Sequence, residues 1–351
     1  MTTYKRQRYL LMTTDPVHIG TGGYRLGRVD NSIVREPGTR IPKIPGTSLH
    51  GAARSYAARL YETLEAAGQS QDQVKNPDQN PVCYTFGYIK RTGNNDEVKA
   101  YSGVVNIFDA HVLLFPVHSM AGPVWVSTLG RLTEAGFTVQ KDGQALAEEP
   151  ASGAALLRWE RKDPLNLGWL MVDIAGKVTV TPPDKWEDTD QWKAVCDHLV
   201  LVQESLFSQV VNSNLEVRTS VSINPKTGAA EEGALFTYEA IPRATFLTAE
   251  VVLDDYRDGK DERPFPTEKT AKGKPLPGGK WEGPLDVVQA GLRMIEWLGV
   301  GGMGTRGFGR LAIVGKPIEE ELGSSSNQGN QQSESEEVSP SAIRLNSIWI
   351  G

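Results

Sequence analysis

The sequence predicts an α+β fold built on a ferredoxin-like β-α-β-β-α-β core with long insertions. Three observations carry this expectation. Strand-like runs are interrupted by three stretches with helical periodicity. The segments at about 130–190 and 255–284 lack a clear period and read as insertions. The chain also holds 36 glycines and 21 prolines in 351 residues, which implies many loops around a modest regular scaffold. Sheets of this kind commonly bind RNA on an open face.

The elements follow in order. Residues 6–14 (RQRYLLMTT) read as a strand. Residues 15–46 are rich in Gly, Pro and Arg and read as a loop or irregular hairpin. A helix starts near Ser48, with Thr47 or Ser48 as N-cap. Leu49, Ala52, Ala53, Tyr56, Ala57, Leu60 and Leu64 recur at helical spacing through Ala67. Residues 104–117 and 124–128 read as strands. Residues 191–211 read as a second helix with Val195, Leu199, Val202, Leu206 and Val210 inward. LEVRTSVSI (215–223) alternates cleanly, as a half-buried strand does. NPKTGAAEEG is a turn or protruding loop, followed by strands ALFTYEAIP and ATFLTAEVVL. A last helix spans about 286–299 with Val288, Leu292, Ile295 and Leu298 inward. Phe108, Phe115, Trp125 and Trp297 read as core. From Pro317 to Ser341 the chain has six acids, no bases and much Ser and Gln, the composition of a disordered tail. The expected division is therefore 1–316 as one globular unit and 317–351 as tail.

Composition narrows the class. The chain is long enough for a large core, and 39% hydrophobic with 23% charged residues fits a soluble protein of the cytoplasm. No apolar run is long enough for a membrane span, and the N-terminus is too polar for a signal peptide. Cys83 and Cys196 lie far apart and make neither a zinc motif nor a disulfide framework. The net charge is −6, yet residues 1–60 hold ten basic residues against three acidic ones. That imbalance predicts a basic face for a polyanion on an otherwise acidic protein.

Several segments could carry chemistry. The Gly-rich run 299–309 follows a helix and precedes a strand. Rossmann and P-loop sites need the reverse order, so a nucleotide cofactor is disfavoured. Gly302 and Gly304 would let backbone amides approach phosphates beside Arg306; the plain alternative is a tight helix-to-strand connection. IPGTSLHGAAR (44–54) offers a helix N-terminus to an anion with Ser48, His50 and Arg54 nearby, or is an ordinary capped helix. Asp30 is either an Asx-turn acceptor or a functional carboxylate. His18 is either a proton-transfer group or a turn post. Tyr238 and Glu239 supply a stacking ring and a polar partner, or are ordinary strand residues. No preformed metal cage is visible, but one Asp and RNA phosphates could share a hydrated Mg²⁺.

These segments occur together in one order: HIGTGG…VDNSIVRE, IPGTSLHGAAR, FDAHVLLFPVHS, GALFTYEAIP and GVGGMGTRGFGRL. The set resembles the RAMP superfamily of CRISPR proteins over about residues 6–315. Within it the chain is similar to the repeated backbone subunit of type III-B Cmr effector complexes. The resemblance implies an RRM-like palm that holds guide RNA and a protruding thumb hairpin near 218–240. It implies partners: a CRISPR guide RNA, a complementary target RNA, neighbouring copies in a helical filament, and other Cmr subunits including the large polymerase-like one. It also implies endoribonucleolytic cleavage of the target at regular intervals with a divalent metal, Mg²⁺ or Mn²⁺. Asp30 matches the family's Val-Asp residue for cleavage and metal, and His18 the family's His before Gly. The implied RNA contacts are Arg25, Arg28, Lys43, Ser48, His50, Arg54, Arg218, Tyr238, Glu239, Gly302, Gly304 and Arg306. His50 stands where the family usually has Lys. A non-catalytic RNA scaffold and a guide-processing RAMP endoribonuclease are the alternative readings.

Overall fold

The computed structural model describes residues 4–22, 29–68, 71–92, 97–257, 265–266, 270–271, 274–276 and 280–322. The segment with Arg25 and Arg28 lies outside them, as does half of 255–284 and everything after Leu322.

An eleven-stranded sheet organises the chain. Its strands are β1 (Tyr4–Thr13), β2 (Lys43–Ile44), β3 (Val105–Ile107), β4 (Ala110–Ser119), β5 (Gly122–Ser127), β6 (Ala154–Leu157), β7 (Leu165–Leu167), β8 (Leu170–Lys177) and β9 (Leu199–Leu201). A hairpin outside the sheet, β10 (Glu216–Ile223) and β11 (Ala230–Ala240), comes next in the chain. The sheet is completed by β12 (Phe246–Leu253) and β13 (Leu311–Leu322). Its main order is β7-β8-β6-β9-β5-β4-β12-β1-β13, with β2 on β4 and β3 on β12. The last four strands, β4-β12-β1-β13, pair antiparallel throughout.

Alternating residues of β1 serve two cores, as the period of a strand requires. Tyr9 and Leu11 face one side, against helix α1 (Gly46–Leu60) and helix α4 (Pro284–Arg293) through Leu49, Ala53, Val288 and Leu292. Two further helices are α2 (Pro81–Phe86) and α3 (Glu204–Ser213). Leu10 faces the other side, with Leu113, Phe137, Trp186, Trp192 and Val314. The segment 130–190 is thus no loose insertion. It folds over this second face and contributes β6, β7 and β8 to the sheet. The face expected to lie open is therefore largely a core. What remains of it is a cavity of about 750 Å³, lined by Arg6, Arg8, His111, Arg131, Glu204 and Glu250 among others.

Four other expectations change. Residues 191–211 are not one helix. The apolar run Leu199–Leu201 is a strand buried on both faces, parallel to β5 and antiparallel to β6, and only Glu204–Ser213 after it is a longer helix. A short run apolar on every face has no period to separate the two states. The helix begins at Gly46, capped at Pro45 rather than Thr47 or Ser48, and its first amide is satisfied from afar by Asp109 (2.7 Å). Phe108 (50% exposed), Trp297 (76%) and Leu298 (47%) lie at the surface rather than in the core. Residues 317–322, expected in the tail, continue β13 along β1. Among the described residues no helix is long and apolar enough to cross a membrane.

Helices α1 and α4 cross so closely that a Cβ on Gly291 would fall on the carbonyl of Ala53. In an open helix, Gly→Ala stabilises by about 1 kcal/mol. Here backbone faces backbone and cannot yield, so Gly291→Ala is expected to lower stability by about 1–3 kcal/mol, read as a reduced urea midpoint at unchanged m-value.

Candidate RNA-cleavage site

The hairpin β10/β11 turns through Asn224–Ala229, where the Gly228 amide reaches Asn224 O (2.8 Å) and Asn224 Oδ1 accepts from Lys226 N (2.9 Å). One face packs on the Gly-rich loop. Tyr238 meets Phe308 edge-on at 5.4 Å, Arg218 lies over Phe308 at 4.8 Å, and Arg306 over Phe236 at 5.5 Å. The opposite face carries Val217, Val221 and Leu235 to solvent. The clean alternation of 215–223 thus marks a hairpin gripped on its polar and aromatic side, not a half-buried strand with its aliphatic side inward.

The edge of β11 turned away from β10 collects the N-terminal motifs. Asn31 N donates to Thr237 O and Glu239 N to Asn31 O, both at 3.0 Å, while Val17 and Ile241 exchange two bonds of 2.9 Å. Asp30 therefore sits beside Thr237. Its Oδ2 accepts the Thr237 amide (2.7 Å) and hydroxyl (3.0 Å), and its own amide donates to Thr237 Oγ1 (3.1 Å). The Thr237 amide, then its hydroxyl, hold the Asp30 carboxyl below the usual carboxylate range. The side chain is exposed, and Oδ1 takes no hydrogen bond from another described residue.

His18 hangs on the same edge. Its Nδ1 lies 2.6 Å from Glu239 O, so Nδ1 carries the proton and donates it to the carbonyl. His18 O accepts the Gly302 amide (2.9 Å). With 5% exposure the residue suits a post joining β11 to the Gly-rich loop better than a proton shuttle. The loop itself is tightly held. Gly309 N donates to Pro16 O (2.8 Å) and Val300 N to Gly309 O (2.9 Å), and Gly301 (φ 86°) leaves no room for a Cβ beside His18 O and Ile19. The Gly302 amide is thus spent within the chain, while Gly304 and Arg306 form an exposed turn.

The other expected contacts divide sharply. Arg54 is buried and donates to the carbonyls of Ala66 (2.7 Å), Phe86 (3.4 Å) and Gly87 (2.9 Å), so its guanidinium ties loops together. His50 packs edge-on against Phe86, and burial, helped by Arg54, pushes its pKa down, so it does not replace a cationic Lys. The Ser48 amide turns back to Pro45 O (2.9 Å). Tyr238 is buried beneath the hairpin rather than offered as a stacking platform. Glu239 pairs with Arg35 (2.8 Å), which also holds Asn212 Oδ1 and Ile33 O at 3.0 Å.

Lys43 is neutralised by Asp109 (2.6 Å) and Glu36 (2.9 Å), and both raise its pKa, Asp109 first. Glu36, Asp109 and His111 form a ligand cluster that separation in sequence hid, but the Lys43 ammonium already stands between its two carboxylates.

The expected basic face is consequently much reduced. Lys5, Arg6 and Arg8 pair with Glu321, Glu320 and Glu250, and Arg35 with Glu239. The local excess of positive charge is balanced by acids that the fold brings from the far end of the chain. Arg218 pairs with Glu216, whereas Arg306 is exposed and makes no ion pair among the described residues. Sequence reasoning missed Thr237, Arg35 and Asp109. All three lie inside quoted motifs (Thr237 in GALFTYEAIP, Arg35 in VDNSIVRE, Asp109 in FDAHVLLFPVHS), but nothing local marks which of those residues meet.

The chain is 24% identical to the CRISPR system Cmr endoribonuclease Cmr4 of Pyrococcus furiosus over 255 residues, covering 69% of this chain and 80% of that protein. A shorter match, 36% over 73 residues, joins 20% of this chain to 32% of the Csm3 endoribonuclease of Enterococcus italicus. Among solved structures, a chain of the type III-B Cmr-beta complex bound to cognate target RNA shares the fold with a TM-score of 0.55. It is 15% identical, over 89% of this chain and 96% of that one. The apo state of Cmr-beta gives 0.53 at 16% identity over 88% and 97%. The model of the RAMP superfamily matches residues 10–312, nearly the whole described core, and the chain belongs to that superfamily.

Proposed function

We propose that this chain is the guide-RNA-binding backbone subunit of a type III-B CRISPR effector, acting in the cytoplasm and cutting complementary target RNA at regular intervals. The observation that carries the reading is the Asp30 carboxylate, exposed, ionised and fixed at the base of a projecting hairpin. The relationship to a Cmr4 endoribonuclease supports it. In this reading β4-β12-β1-β13 with α1 and α4 is a ferredoxin-like palm, since α1 follows β1 and α4 follows β12 in that split order. The β10/β11 hairpin is the thumb. Copies of the chain line up along the guide beside other Cmr subunits, including the large polymerase-like one.

The chemistry follows from geometry. The thumb spreads the target strand, so that one 2′-hydroxyl stands in line with the adjacent phosphorus. The 2′-oxygen releases its proton to solvent and forms the new bond to phosphorus, the bond to the 5′-oxygen breaks, and that oxygen takes a proton from solvent, giving a 2′,3′-cyclic phosphate and a 5′-hydroxyl. Asp30 is a weak base because Thr237 stabilises its charged form. Its part is to orient the hydroxyl or to hold a cation, not to keep the proton. One hard carboxylate oxygen fits a hydrated Mg²⁺ or Mn²⁺ that takes its remaining ligands from water and RNA phosphate. Such an ion, when bound, offsets charge building on the phosphate. Arg306, laid along the thumb by Phe236, faces the backbone.

Two experiments test this. In a reconstituted complex with guide RNA and Mg²⁺, Asp30→Ala is expected to retain target binding and lose the regularly spaced products; unchanged products place the cut elsewhere. Products with 3′-hydroxyl ends would rule out attack by the 2′-oxygen. Separately, Arg306→Gln is expected to shallow the salt dependence of RNA binding, log K against log salt, by about 0.7. An unchanged slope removes Arg306 from the interface.

A further inference from the structure

Asp30 makes its described side-chain contacts with one residue, Thr237, and that residue belongs to the hairpin. Both bonds to the carboxylate fall on Oδ2, so Oδ1 is left for whatever approaches. The Thr237 hydroxyl also serves as acceptor for the Asp30 amide, which fixes the backbone as well as the side chain. Thr219 lies opposite Thr237 across the hairpin, and neither amide nor carbonyl of Thr237 is used by β10: both turn to the segment holding Asp30. Position 237 is therefore the point at which the loop with the carboxylate and the hairpin become one body.

We propose that Thr237 is the positioning residue of the cleavage site, aligning the Asp30 carboxylate to the hairpin so that the hairpin's seat on the RNA decides which phosphate is cut. The inference rests on Asp30 being the cleavage residue. It predicts a specific dependence on the hydroxyl. Thr237→Val keeps the β-branched shape and the backbone amide, and removes both hydroxyl bonds. Asp30 then pivots on a single hydrogen bond. Thr237→Ser restores the hydroxyl.

The test uses the assembled complex with guide and target RNA. Thr237→Val is expected to lower the single-turnover cleavage rate about tenfold to a hundredfold at unchanged target affinity, the cost of a small misplacement of an aligned group. Minor products one nucleotide out of register are expected to appear. Thr237→Ser is expected to return to within about threefold of wild type. In metal-free protein, hydrogen exchange at the Asp30 amide is expected to quicken in the valine variant and not in the serine one, because its acceptor is gone. Thr237→Ala is the parallel variant, with the same expected result, where the valine chain does not assemble. Wild-type rates in Thr237→Val beside an inactive Asp30→Ala overturn this proposal and leave the cleavage reading standing. Equal losses in the valine and serine variants overturn it too. An active Asp30→Ala overturns the cleavage reading and this inference with it.

Discussion

The free backbone edge of β11 is the constraint on which the site depends. A strand edge presents amides and carbonyls in a fixed row, and each must find a partner once it is out of water. Here the partners come from the N-terminal thirty-odd residues: Val17 at Ile241, the His18 ring at Glu239, Asn31 at Thr237 and Glu239, and Asp30 at Thr237. The described residues on either side of this edge, 16–22 and 29–35, have little hydrophobic periodicity and are held in place by these bonds. The Gly-rich loop joins the same assembly through His18 O and Pro16 O. Three stretches far apart in sequence are thus aligned by edge hydrogen bonds.

Side-chain electrostatics reinforce that frame. Arg35 and Glu239 are both largely withdrawn from solvent, and the guanidinium spreads its donors over a carboxylate, an amide oxygen and a backbone carbonyl. A planar, always-charged group with several donors suits that position, and a lysine would leave acceptors unfilled. Arg54 does comparable work under α1 with carbonyls alone. Arg54, which looks in sequence like a phosphate contact, is thus a fastener, as is Arg35. On the hairpin side, Arg306 is exposed and makes no ion pair among the described residues.

What the sequence made legible depended on the range of the interactions. β1, α1, the hairpin and the helix before the Gly-rich run follow from local periodicity and turn chemistry, although α1 stops at Leu60 where the helical spacing ran on to Ala67, and the later helix is broken after Arg293. Leu199–Leu201 did not follow, because a strand buried on both faces has no pattern to distinguish it. The basic face was misjudged because charge was counted along the chain, while Glu250 and Glu319–Glu321 reach Lys5, Gln7 and the arginines between only through strand pairing. Asp30 stood out as a candidate through its motif. Thr237 did not: one threonine in a strand of alternating residues gains meaning only when register places it against a carboxylate more than two hundred positions earlier.

The outermost strand has a consequence of its own. A twelve-residue edge strand is an open template on which another chain could add itself, sheet upon sheet. β13 is interrupted midway: its register against β1 shifts between Arg8 and Leu10, Gly315 takes a left-handed conformation against Lys185, Trp186 caps the Lys316 carbonyl, and Pro317 has no amide to offer. Beyond the break the strand carries three successive glutamates. An added strand would meet this break and these charges, so the border of the sheet is a poor template for pairing with a second sheet.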